Sequence, residues 1–318
     1  MKTLSIIVAI LIVIISAVVI VTYPKYNREM RAAREHLKAE SVILNTDQGD
    51  IEYAVKGEGT PVLMLHGAGG GYDQGLWAGK LYLGSGHRFI AVSRYGYLRS
   101  PIPKDPTIKT QAALYKALLD RLNIKKVIVV GISAGGPSAT QFANDYPDKT
   151  SALILLSGVS EAEASGDKPA FYVKIIHLIQ QSDYAYWVFT EFMQSTILSL
   201  MGVPPEVYRN FNPAQKEMAQ EMLDIMHPMT PRYKGTINDG KMIQREEVST
   251  NHLSAPTLII HAEDDALVSY HHAEDGHKRI KQSKLIVLNT GGHAMISRMD
   301  EIRQYVKNFL ILSGHPRS

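Results

Sequence analysis

The chain of 318 residues contains no cysteine, so a disulfide scaffold, a thiolate metal site and a cysteine nucleophile are all excluded. Covalent chemistry must run through another side chain. Net charge is also scarce. The formal +3 resides in Lys2 and in residues 23–40, where Lys25, Arg28, Arg31, Arg34 and Lys38 outnumber Glu29, Glu35 and Glu40, and the remainder is neutral. A neutral body without basic clusters cannot supply the phosphate contacts on which DNA or RNA affinity rests, so no nucleic-acid partner is expected. There is no internal repeat and no low-complexity tract. Hydrophobic residues at 45% and charged residues at 20% exclude disorder, collagen and coiled coil and describe a chain that builds a core.

One long hydrophobic run is present: residues 4–21 are apolar except for Ser5 and Ser16. At about 1.5 Å per residue such a helix approaches the hydrocarbon thickness of a bilayer. The run exceeds a signal-peptide core, and no small-x-small cleavage site follows it. The reading is an uncleaved single-pass membrane anchor over residues 1–22, joined by a charged linker helix (23–40, helical over 27–38) to the body. Four basic residues on its C-terminal flank favour a cytoplasmic body, whereas a short Met-Lys start is how exported chains begin, so the side stays open.

Beyond the linker, short apolar runs at residues 61–65, 89–93, 127–130, 152–156, 257–261 and 285–288 predict strands. Amphipathic stretches at 108–122, 137–146, 271–281 and 300–312 predict helices between them. Continuous apolar strands alternating with helices mean a parallel sheet covered on both faces. Residues 161–253 break the rhythm with helical, Met- and aromatic-rich sequence. An insertion of that size predicts a cap over the sheet's C-terminal edge, leaving a core of residues 41–160 and 254–318. Met226, His227, Pro228 and residues 232–239 are candidates to line a pocket beneath it.

The sharpest local signal is Gly131-Ile132-Ser133-Ala134-Gly135, preceded by an apolar β-rich run and followed by a helix with Pro137 in its first turn. The pentapeptide alone arises by chance in roughly one chain in ten of this length, so the strand-to-helix context carries the reading of a nucleophile elbow. Gly131 and Gly135 permit the close backbone approach that such a turn demands. The hydroxyl of Ser133 needs a base, and the base needs an orienter; in this arrangement they follow in the order serine, acid, histidine. The strand at 257–261 ends in Asp264 and Asp265, and the strand at 285–288 ends in a glycine-led loop carrying His293. Either aspartate could orient His293. Two backbone N–H groups must receive the oxyanion: Ala134 after the serine, and Ala68 in the loop His66-Gly67-Ala68-Gly69-Gly70-Gly71. That loop lacks the Lys-Ser/Thr of a phosphate cradle and the spacing of a dinucleotide site. His271, His272 and His277 lack metal-ligand spacing, so no metal site is read there.

Over residues 50–315 the chain resembles the α/β-hydrolase family, through His66-Gly67, the Gly131–Gly135 elbow, Asp265 three residues before Val268, and Gly292-His293. The resemblance selects Asp265, whose Asp-x-x-Val setting is the family's. It implies eight mostly parallel strands covered by helices, with early strands near 42–44 and 51–55 antiparallel and a helical cap inserted after the sixth. Ser93 and Tyr95 stand where the family usually has Asp and Gly, and Ala262 where glycine is common. The implied activity is serine hydrolysis without a cofactor: His293 deprotonates Ser133, Asp265 holds the imidazole, and Ala68 and Ala134 receive the oxyanion. The substrate expected is a small acyl compound, an ester or thioester with a hydrophobic part. A carbon–carbon bond hydrolase or an aminopeptidase could use the same residues, and a membrane-anchored, non-catalytic binding protein could be built on the same scaffold.

Overall fold

Strands made of apolar and β-branched residues without polar alternation can be dry only inside a sheet covered on both faces, and the computed structural model puts them there. It describes residues 2–160 and 171–316, excepting the side chains of residues 2–12, 14, 15 and 171–173. The chain divides into two units, residues 1–40 and 41–318.

The first unit is one continuous helix, α1 (Lys2–Glu40), with Pro24 inside it, rather than an apolar segment followed by a separate charged helix. Among the described residues no helix is long and apolar enough to cross a membrane. This overturns the expected transmembrane anchor, and with it the membrane partner and membrane localisation. The apolar run of α1 ends at Val21, and the same helix continues through Pro24 into Lys25, Arg28, Arg31 and Arg34.

The second unit is an eight-stranded sheet in the order β1-β2-β4-β3-β5-β6-β7-β8. Its elements run β1 (Val42–Thr46), β2 (Gly49–Lys56), β3 (Thr60–Leu65), α2 (Tyr72–Tyr82), β4 (His87–Val92), α3 (Ile108–Arg121), β5 (Val127–Ile132), α4 (Gly136–Asp145) and β6 (Thr150–Leu156). Six helices follow: α5 (Phe171–Gln180), α6 (Asp183–Phe192), α7 (Gln194–Leu200), α8 (Pro205–Arg209), α9 (Pro213–Ile225) and α10 (Thr230–Arg245). The chain then re-enters the sheet through β7 (Thr257–Ala262), α11 (His271–Arg279), β8 (Ser283–Leu288) and α12 (Met299–Leu312). The strands expected near residues 42–44 and 51–55 are β1 and β2, which pair antiparallel, as do β2 and β4; all other pairs are parallel. Residues 161–170, the start of the expected cap, lie outside the described residues.

Side chains alternate between the two covered faces. Leu63, Leu65, Val127, Val129, Leu153, Leu155 and Ile259 pack with Leu118 of α3, Phe142 of α4 and Ala273 of α11 in one core. On the other face α2 approaches so closely that a β-carbon on Gly75 would lie 3.0 Å from Ala91 Cβ and 3.3 Å from Met64 Cβ. Each fully buried Leu, Ile or Val contributes about 1.5–3 kcal/mol. Register then decides where the loops emerge. Leu65 pairs with Gly131, Ile132 with Leu156, Leu156 with Ile260 and Ala262 with Leu288, so β3, β5, β7 and β8 end at one edge.

Where the family often has an aspartate, Ser93 donates to Glu52 Oε2 (2.8 Å) and accepts from Tyr72 N–H (3.2 Å). Glu52, buried on β2, also binds Arg99 Nε (2.6 Å) and Ser41 Oγ (2.8 Å). The carboxylate that braces this loop is thus supplied from β2 instead of from the loop itself.

Candidate active site

β5 runs extended to Ile132, and Ser133 then turns into the left-handed region at φ 50° before a 3-10 turn (Ser133–Gly135) leads into α4. Only small neighbours allow this. A β-carbon on Gly135 would lie 2.4 Å from Leu65 O, one on Gly131 2.6 Å from Ala139 Cβ, and one on Gly67 3.1 Å from Ser133 Cβ. The three glycines therefore bring the β3 loop, the turn and α4 into mutual contact around the serine. α4 presents its positive end to it.

His293 reaches Ser133 from the far side of the cleft edge, its Nε2 2.9 Å from Ser133 Oγ and its Nδ1 2.7 Å from Asp265 Oδ2. Its backbone is tied on both sides: its N–H donates to Gly202 O (3.0 Å), and its carbonyl accepts from Ser157 Oγ (2.8 Å). Gly292, at φ 61°, has no room for a side chain, because a β-carbon would lie 2.8 Å from Gly202 O.

The two candidate aspartates separate cleanly. Asp264 accepts from Thr290 Oγ1 (2.6 Å), Gly291 N–H (3.2 Å) and Gly292 N–H (2.8 Å), bracing the loop that carries His293. Asp265 faces the imidazole and accepts from Leu267 and Val268 N–H, both at 2.9 Å. Burial alone would raise its pKa, yet the carboxyl is held well below the usual carboxylate range by the charge of His293 and hydrogen bonds from His261, His293 and the Val268 backbone. It is ionised whenever the imidazole must be oriented. A second histidine on this carboxylate, His261, drew no notice in the sequence, where it reads as the last apolar-flanked residue of a strand.

Ala134 follows the serine and Ala68 follows Gly67, whose β-carbon would lie against Ser133; both alanines are half-exposed, while Gly67, Gly69 and Gly135 beside them are buried. In the β3 loop, Gly67 N–H donates to Gln74 Oε1 (3.0 Å), Gly69 N–H to Thr236 Oγ1 (3.1 Å) and Gly70 N–H to Gly67 O (3.2 Å). Ala134 sits in the first turn before α4, where backbone N–H groups lack intrahelical acceptors. His66 is fully buried; its Nδ1–H donates to Gly67 O (2.7 Å) and its Nε2 accepts from Arg94 N–H (3.1 Å). Burial, reinforced by the Arg94 charge, pushes its basicity far down, so it is a neutral brace of the loop.

The helical insertion lies over this edge. A β-carbon on Gly69 would fall 2.6 Å from Met226 Cε and 3.6 Å from Met229 Cε; one on Gly202 would fall 2.6 Å from Leu267 Cβ and 3.0 Å from His293 Cβ. Two ion pairs clamp α10, one to the loop after β4 and one to the first turn of α2. Arg94 binds both oxygens of Asp239 at 2.6 Å and also donates to Ala134 O (3.2 Å), and Arg232 binds Asp73 at 2.9 and 2.6 Å. Arg232 and Asp239, read as pocket candidates, are thus spent on the clamp. His271 pairs with Glu274 and His277 with Ser283 Oγ. Among the described residues no cluster of three His, Asp or Glu could hold a metal ion.

A family model described as the alpha/beta hydrolase fold matches residues 60–297. The chain belongs to the α/β-hydrolase fold family. This α/β-hydrolase is 28% identical over 274 residues, 81% of its length and 93% of the relative's, to the uncharacterized hydrolase YcgS of Bacillus subtilis (strain 168). It is 23% identical over 269 residues, 82% of its length and 91% of the relative's, to a 2-hydroxy-6-oxo-6-phenylhexa-2,4-dienoate hydrolase of Comamonas testosteroni. An alpha/beta hydrolase fold protein from Nakamurella multipartita superposes with a TM-score of 0.74 at 25% identity, covering 86% of this chain and 100% of that one. The α/β-hydrolase is a hydrolytic enzyme, which sets aside the non-catalytic binding protein.

Proposed function

We propose that this α/β-hydrolase is a serine hydrolase that cleaves carboxylic esters or thioesters bearing a hydrophobic part through an acyl-enzyme. The observation that carries the reading is the continuous hydrogen-bonded line from Ser133 Oγ to His293 Nε2 (2.9 Å) and from His293 Nδ1 to Asp265 Oδ2 (2.7 Å). Ser133 Oγ attacks the carbonyl carbon as its proton passes to His293 Nε2, and the carbonyl π pair moves onto oxygen. Ala68 and Ala134 N–H groups receive that oxyanion, a stabilisation of about 3 kcal/mol per donor. As the tetrahedral species collapses, the bond to the alcohol or thiol breaks and the leaving group takes the proton from His293 Nε2. A water molecule then repeats the sequence, giving its proton to His293, and Ser133 leaves with that proton restored. Asp265 stays ionised throughout and keeps the imidazole proton on Nδ1. General-base help contributes about 10²- to 10⁴-fold. The methyl ends of Met226 and Met229 against Gly69, and Leu267 beside His293, support a hydrophobic acyl or alcohol part.

Fluorophosphonate labelling tests the nucleophile: the native chain takes the probe and Ser133→Ala does not. A native chain that stays unlabelled overturns the reading. A p-nitrophenyl ester series from acetate to laurate tests the hydrophobic part, and rates that ignore chain length overturn that element alone. Similarity to the dienoate hydrolase favours a second reading, cleavage of a carbon–carbon bond beside a ketone by the same residues. Turnover of a β-diketone faster than any ester would select it, and turnover of aminoacyl amides would select an aminopeptidase.

A further inference from the structure

We propose that His261 is a positioning residue of the active site, a second imidazole that grips the same carboxylate oxygen as His293; the inference rests on the serine-hydrolase reading above. His261 is the penultimate residue of β7, wholly buried, and paired in register with Val287 of β8. Its Nε2 lies 2.9 Å from Val268 O and 3.1 Å from Asp265 Oδ2. A carbonyl and an ionised carboxylate can only accept, so Nε2 carries the ring proton and shares it between them. Its Nδ1 is buried without a hydrogen-bond partner among the described residues, so a second proton there would have nothing to bind. The ring is therefore a neutral, single donor with its tautomer set by its surroundings.

Asp265 thus sits in a cage of four donors. Oδ1 takes Leu267 and Val268 N–H, and Oδ2 takes His293 and His261. This cage prevents rotation of the carboxylate about its last bond, which fixes the plane in which His293 is held. By drawing negative charge on Oδ2 toward itself, His261 also lessens the negative charge that Asp265 presents to His293. The other titratable groups about the pair are Tyr270 at the start of α11, its ring edge-on at 6.3 Å, and His272 of α11, which accepts from Ser160 N–H. Glu263 and Asp264 occupy the intervening turn, Asp264 being committed to the His293 loop.

The test is the pH dependence of p-nitrophenyl ester hydrolysis by the native enzyme, His261→Phe and His261→Gln. Phenylalanine keeps the size and removes the donor; glutamine keeps an N–H at the ε position. His261→Phe is expected to lower kcat about tenfold with little change in KM, since a hydrogen bond to a charged group is lost. The acidic limb of its kcat/KM profile moves upward by about half to one pH unit, because the carboxylate beside the imidazole has lost a donor and presents more of its negative charge. His261→Gln restores most of both. Identical behaviour of the two variants, or an unmoved acidic limb in His261→Phe, overturns the proposal. If neither variant folds, 15N-histidine spectra of the native chain decide: His261 must show an Nε2–H tautomer, and an Nδ1–H tautomer overturns it. A native chain without esterase activity and without fluorophosphonate labelling defeats the serine-hydrolase reading instead, and the spectra still report on His261.

Discussion

At φ 50°, Ser133 holds a conformation that a β-carbon resists by about 1–2 kcal/mol. The surrounding turn imposes it, through Val159 N–H on Ser133 O (3.1 Å) and the glycine contacts on either side. Strain at this one residue is the cost of projecting its hydroxyl toward His293. Ser133→Gly should therefore abolish ester turnover while raising the thermal midpoint above that of Ser133→Ala, by the equivalent of about 1 kcal/mol. Calorimetry on the two inactive variants checks it, and equal midpoints would remove strain from the account. Residue by residue the sequence left Asp264 and Asp265 level, and the family resemblance selected Asp265. Both follow one strand on one loop, and only their partners 26–28 residues later in the chain divide loop bracing from imidazole holding.

Glycine at the level of elements plays two opposite parts. In the turn between β5 and α4, Gly135 lies against the backbone of β3, and a β-carbon would meet Leu65 O at 2.4 Å and His66 O at 2.7 Å. Backbone carbonyls in a sheet cannot retreat, so Gly135→Ala should cost about 1–3 kcal/mol or more and displace Ser133 enough to depress kcat. In α10, Gly240 would meet nothing within 4 Å. Gly240→Ala should stabilise the protein by about 0.5–1 kcal/mol with unchanged kinetics, since it only reduces the freedom of the unfolded chain. Urea unfolding of the pair measures both signs. A periodicity argument finds both glycines on helical or turn sequence but cannot tell which one another strand will approach.

For the molecule as a whole, buried imidazoles make acid the natural denaturant. His227, packed against Tyr186 and bonded through Nε2 to Thr190 Oγ1, has its basicity pushed down to about 4 by burial and then by the nearby Arg232 charge. An unfolded chain takes up this proton near pH 6.5 and the folded chain refuses it, so unfolding is favoured progressively as pH falls from about 6.5 to 4, by about 3 kcal/mol in all. His66 is shifted in the same direction. Asp265, depressed instead, adds stability above the ordinary carboxylate value that is lost only at lower pH. The thermal midpoint should hold from pH 8 to about 7 and decline below 6.5, and His227→Gln should flatten that decline. A native midpoint indifferent to pH between about 7 and 4.5 would contradict the burial of these rings.

Local pattern alone determined a good deal of this protein. Apolar runs located the parallel strands, Gly131-Ile132-Ser133-Ala134-Gly135 located the turn, and chain order pointed to His293, because strand formation and tight turns depend on neighbours a few residues away. The membrane reading did not hold: among the described residues no helix is long and apolar enough to cross a bilayer, and the apolar run belongs to one helix that continues into the charged segment. Only the tertiary structure decided that Glu52 braces the loop of Ser93, that Arg94 and Asp239 or Arg232 and Asp73 meet across 145 and 159 residues, and that His261 shares the carboxylate of Asp265. Those pairings depend on the order β1-β2-β4-β3-β5-β6-β7-β8. Strand order is chosen by packing both faces of the sheet at once, a global minimum that no window of sequence contains.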